Sequence, residues 1–120
     1  MRSFYDGYHF APAVIDGDQV RCSGVIGMDL TDGSCSSDAK TQFTQAFDNL
    51  QVVLDAAGIS FADITEMTTF HVGLQDHMQT FMEVKDNYLK EPYPAGTAIG
   101  MVELAIPGGI VEIRVTAKKG

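Results

Sequence analysis

The stretch "SSDAKTQFTQAFDNLQVVLDAAG", residues 36–58, constrains the fold most. Its apolar residues fall at 39, 43, 46, 47, 50, 53, 54 and 57, which is one face of a helix. Ser36, Ser37 and Asp38 are N-cap candidates, and Gly58 stands where a helix stops. A long helix with one apolar face must lay that face on another element. The rest of the chain supplies strands for it to cover.

Asp16-Gly17 between short apolar runs predicts a hairpin in "AVIDGDQVRCSG". Gly24 interrupts the second strand before "VIGMDL" continues it, which predicts a bulge or a close backbone approach there. "DITEMTTFHVGL" reads as a strand with Thr68, Phe70, Val72 and Leu74 on one face. Met67, Thr69, His71 and Gly73 fall on the other. "DHMQTFMEVKDNYLKEP" reads as a second helix capped by Asp76, striped by Met78, Phe81, Met82, Lys85 and Tyr88/Leu89, and ended by Pro92. Two strands, about 96–105 and 110–117, are expected as a hairpin through Pro107-Gly108-Gly109. The order predicts an α+β fold over residues 1–120: one mixed sheet, with both helices on one face and the other face uncovered.

The chain has 120 residues, a length that fits one domain. Its net charge of −8 argues against a nucleic-acid or anionic-membrane surface, both of which need basic patches. "MRSFYDGYHF" lacks the apolar core of a leader, and no apolar run approaches a membrane span, so a cytoplasmic protein is expected. Cys22 and Cys35 then read as idle thiols. No paired His or Cys spacing occurs, so a metal site is not expected, and neither a phosphate loop before a helix nor a nucleophile turn is present.

In the last strand Val111, Ile113 and Val115 suit the core, so Glu112, Arg114 and Thr116 point to the uncovered face. The same alternation places Thr69 and His71 beside them. The plain reading of Glu112 and Arg114 is a solvated ion-pair stripe worth ~0–1 kcal/mol. The plain reading of His71 is a half-buried, satisfied histidine. His9 and His77 read as loop and helix-start residues.

Three segments, in order, resemble the YjgF/Rid family, the reactive intermediate deaminases also labelled endoribonuclease L-PSP. "FAPAVIDGDQVRCSG" is similar to the family's Tyr-Ser-Gln-Ala … Val-Ser-Gly-Gln. "QAFDNLQVVLDAAGISFADITEMTTF" is very similar, and "PYPAGTAIGMVELAIPGGIVEIRVTA" resembles Pro-Ala-Arg … Val-Glu-Ile-Glu-Ala. The resemblance implies a chorismate-mutase-like fold, a homotrimer whose sheets face one another, and cofactor-free sites between subunits that hydrolyse imines or enamines. It places the catalytic glutamate on Glu112. The mouth tyrosine falls on Phe10, the Ser-Gly-Gln glycine on Gly24 with its Gln replaced by Val25, and a helix asparagine on Met82. The carboxylate-clamping arginine falls on Gly96, and a small cysteine position on Ala98. The chain therefore resembles an arginine-lacking branch, with His71 or Arg114 as candidate helpers to Glu112.

Two functions follow from that resemblance. One is hydrolytic deamination of a larger, less acidic imine or enamine. The other is small-molecule binding without chemistry in the same clefts. The older ribonuclease or translation-inhibitor label conflicts with the acidic surface.

Overall fold

The computed structural model describes residues 10–120, so His9 lies outside the described residues. Its strands are β1 (Ala13–Asp16), β2 (Gln19–Cys22), β3 (Val25–Ile26), β4 (Ile64–Val72), β5 (Ala95–Met101) and β6 (Val111–Lys118). Helices α1 (Ala39–Ala56) and α2 (Leu74–Lys85) flank β4 in the chain. All six strands share one sheet in the order β1-β2-β6-β4-β5, with β3 also paired to β6. The last strand, β6, thus lies inside the sheet between β2 and β4, with β1 at the edge, and both helices cover one face, as expected.

Helix α1 begins where Asp38 accepts a hydrogen bond from the Thr41 amide at 3.0 Å. It ends at Gly58, whose φ of 75° suits a residue without Cβ. There the amide of Gly58 donates to the Asp55 carbonyl and that of Ile59 to the Leu54 carbonyl, a Schellman closure. Phe43, Phe47, Leu50 and Leu54 of α1 pack with Phe81 and Val84 of α2 onto Val111, Ile113, Val115 and Ala117. Phe43 and Phe81 meet edge to face at 5.3 Å between ring centres. Cys22 and Cys35 are free thiols, both raised in pKa by burial. Among the described residues no helix is long and apolar enough to cross a membrane.

Three local expectations change. First, β5 and β6 are not a hairpin: β5 runs parallel to β4, β6 antiparallel to it, and β4 lies between them. The physical reason is α2, a crossover that lets β4 and β5 pair in parallel. Second, α2 starts one residue after β4 at Gly73, whose φ is 73°, so Asp76 sits in the first turn instead of capping. Third, α2 ends at Lys85, well before Pro92.

The faces of β4 are also reversed. Met67, Thr69 and His71 pair with Val115, Ile113 and Val111, so they face the helices. Phe70 pairs with Glu112 and Thr68 with Arg114 on the uncovered face. Thr69 and His71 are buried, with the His71 ring against Phe81 at 4.7 Å. The pull of Phe70 toward the core is offset outside: the Arg114 guanidinium lies over its ring, 5.4 Å from the centroid.

Candidate functional site

Glu112 occupies a place that the sheet prepares for it. Arg21 of β2 pairs with Thr116 and Val25 of β3 pairs with Ile113. Three residues, 22–24, therefore face two, 114 and 115, which is the bulge expected at Gly24. A Cβ on Gly24 would lie 2.6 Å from Cδ and Oε2 of Glu112. The glycine is required by contact: the Glu112 side chain lies across it.

Beside this contact is a cavity of about 130 Å³. Phe10, Val25, Met28, Leu30, Val53 and Ile106 form much of its apolar wall, and Glu112 is the only ionisable side chain in its lining among the described residues. Burial raises the Glu112 carboxyl pKa, and the positive charge of Arg114 partly opposes the rise. The ion pairs among the described residues are Arg21–Asp16 and Lys118–Asp18, so Arg114 does not neutralise Glu112 by direct pairing. The carboxyl is left available to the cavity, in surroundings that favour its holding a proton more than a surface glutamate does.

His71 is on the opposite face and does not line this cavity. Its Nε2 is 2.8 Å from the Thr69 hydroxyl, while its Nδ1 is buried without a hydrogen-bond partner. Burial, with a smaller contribution from His77, lowers its pKa to about 4, so it is neutral at pH 7.

The remaining candidates form a second group. Gly96, Ala98 and Gly100 pair with Met67, Thr69 and His71, hence β5 turns them to the helix side, where all three stay exposed. A Cβ on Gly100 would touch Leu74 at 3.8 Å, at the start of α2. Met82 is exposed on α2, the helix whose first residue, Leu74, lies beside Gly100. A Cβ on Gly96 would meet only the Met67 carbonyl oxygen within 4 Å, at 3.7 Å. Phe10, Gly24 and Glu112 thus gather at the cavity beside β6, while Gly96 and Ala98 lie on the edge strand β5 and Met82 on α2. One chain does not bring the two groups together, because β4 separates their strands and they face opposite sides.

The family described as endoribonuclease L-PSP matches residues 4–119. The chain belongs to this family, the YjgF/Rid family. It is 37% identical over 117 residues to the RutC family protein YjgH of Escherichia coli, covering 97% of this chain and 87% of that one. The solved structure of YjgH superposes with a TM-score of 0.88 over 98% of this chain and 88% of that chain. Human 2-iminobutanoate/2-iminopropanoate deaminase is 30% identical over 112 residues, 92% of this chain and 80% of the enzyme. RidA from an Antarctic Psychrobacter, 31% identical, gives a TM-score of 0.85 over 91% of this chain and 87% of that one. The helices on a mixed sheet are the YjgF/RidA fold.

Sequence reasoning missed Asn49 and Gln42, the polar residues buried on the inner face of α1. Asn49 lines the cavity and donates to the carbonyls of Ile26 at 2.9 Å and Met28 at 2.8 Å. Gln42 donates to the carbonyls of Ser36 and Gly108 and accepts from the Ile110 amide. The two amides hold the irregular segments that wall the cavity. Their spacing of seven within an apolar stripe was the available signal.

Proposed function

We propose that the protein is a hydrolytic deaminase of an imine or enamine, working in sites assembled between copies of the chain, with Glu112 as its general acid and base. The observation that carries this reading is the Glu112 carboxyl, unpaired with Arg114, seated over Gly24 at an apolar cavity. The relatives named as imine deaminases support the reaction class.

The ionised carboxylate takes a proton from water as the water oxygen bonds to the imine carbon. The carboxylic acid then returns that proton to nitrogen. Glu112 next takes the hydroxyl proton of the carbinolamine and delivers it to the amino nitrogen, so that C=O forms as the C–N bond breaks and ammonia leaves. One water is consumed and no electrons are exchanged with the protein. A carboxyl whose pKa is raised toward the working pH suits both proton steps.

Assembly is part of the proposal because the second group of residues needs a neighbour to meet Glu112. A homotrimer also covers the sheet face that carries Phe70, Ile99 and Met101, the last two exposed. Arginine is absent at Gly96, so the site we propose takes substrates other than simple 2-imino acids.

Ammonia release from a panel of imines generated in solution tests the reading. Wild type should accelerate at least one imine, Glu112→Gln should lose about 100-fold or more, and light scattering should give three times 13.0 kDa. Absence of any acceleration, or a Gln variant as fast as wild type, overturns the reaction; a monomeric mass overturns the assembly.

A further inference from the structure

The lining of the Glu112 cavity carries more information than its one carboxyl. Among the described residues three of its side chains are polar: Ser23, Asn49 and Glu112. The Ser23 hydroxyl donates its proton to the Ala11 carbonyl at 2.6 Å. Both protons of the Asn49 amide nitrogen are committed, to Ile26 and Met28, and its oxygen accepts from Gln45 at 2.8 Å. Ionised Glu112 has only acceptors. With Glu112 ionised, every polar side chain of the lining among the described residues therefore offers a ligand an acceptor and no free proton. No Lys, Arg or His lines the cavity among the described residues.

The volume sets a second limit. A cavity of roughly 150 Å³ lined by apolar groups holds benzene, so about 130 Å³ accommodates an apolar body of about six carbons. An anionic ligand placed here would meet a carboxylate in an apolar surround, with its own oxygens unpaired, an arrangement that disfavours binding strongly.

We infer that this cavity binds compact apolar molecules whose polar end is a nitrogen that donates hydrogen bonds, and that it excludes carboxylates. The substrate class is then a carboxylate-free imine or iminium with a ring or branched alkyl body, its N–H directed at Glu112. This rests on the deaminase reading of the site, while the binding preference rests on the side chains that one chain brings to the cavity.

The test uses two probes of similar size on the intact protein. Benzylamine and benzoate share a ring and differ in the charge of the polar end. In NMR titrations at pH 7, benzylamine should bind at least tenfold tighter than benzoate and shift the resonances of Val53 and Ile106. Glu112→Gln should reduce that preference severalfold or more. Benzoate binding as tightly as benzylamine overturns the inference, as does saturation by neither at millimolar concentration. A benzylamine preference that survives unchanged in Glu112→Gln also overturns it. The two readings fail separately. Benzoate binding together with rapid 2-iminobutanoate hydrolysis would remove the ligand class and keep the deaminase. Benzylamine binding at Glu112 with no hydrolysis of any imine would do the reverse.

Discussion

His71 and Glu112 lie on neighbouring strands, one register step apart, since Phe70 pairs with Glu112 and His71 with Val111. Burial opposes the charged form of both, yet the outcomes differ. His71 is sealed under Phe81 with one nitrogen bonded and one bare, and its pKa falls to about 4. Glu112 is only partly covered, its pKa is raised, and it borders a cavity. Desolvation alone does not make a reactive group. The group must also have somewhere for a second molecule to stand, and of these two groups it is Glu112 that borders such a cavity among the described residues.

The largest effect on this contrast should come from Gly24→Ala. Its Cβ would overlap Glu112 at 2.6 Å, and the long glutamate side chain can swing aside. Activity should fall at least tenfold while thermal stability changes little; measured turnover within twofold of wild type would show that the Gly24 contact does not place the carboxyl.

Next in size is Gln42→Ala, which leaves the Ser36 and Gly108 carbonyls and the Ile110 amide short of a partner. We expect about 2–4 kcal/mol of lost stability by urea unfolding. Glu112→Gln should cost no stability by the same measurement.

His71 sharpens the comparison through pH. Its folded pKa, about 4, lies below its unfolded value near 6.5. The unfolded chain binds the extra proton in that interval, so the contribution is complete above about pH 6.5 and is lost as pH falls toward 4. The loss is at most about 3 kcal/mol. His71→Leu should flatten this part of the acid stability profile and leave kcat at pH 7 unchanged; an unaltered profile would contradict the assignment.

The smallest effect has the opposite sign. Glu112 has a raised folded pKa, so the folded chain holds its proton to higher pH than the unfolded chain does. Stability from this group declines as pH rises through that interval. Glu112→Gln should therefore raise the melting temperature slightly at pH 7, and a lowered one would mean the carboxylate stabilises the fold.

Much of this was legible in the chain. The apolar stripe of α1, Asp38, Gly58, and the alternation from Val111 to Thr116 state their structural roles through spacing alone. The bulge at Gly24 was visible as a glycine within a strand. The faces of β4 were not legible, because Phe70 and Leu74 mimic a core face, and only pairing with β6 shows that Thr69 and His71 are inside. The β5–β6 hairpin failed for a related reason: sequence proximity favours adjacent pairing, whereas α2 carries the chain to the far side of β4. Glu112 was found by alternation together with family resemblance, while Asn49 was overlooked because the apolar stripe around it dominated.

Whether the carboxylate clamp is missing from this site is read from the rate of 2-iminobutanoate hydrolysis by wild type, Gly96→Arg and Arg114→Ala, followed by ammonia release. Position 96 has open space around its would-be Cβ and tolerates a long side chain. In the assembly the new guanidinium supplies the carboxylate partner that the Glu112 cavity lacks. Wild type should be slow, Gly96→Arg at least tenfold faster, and Arg114→Ala little changed. A fast wild type that slows sharply in Arg114→Ala would contradict this, because Arg114 would then already hold the carboxylate.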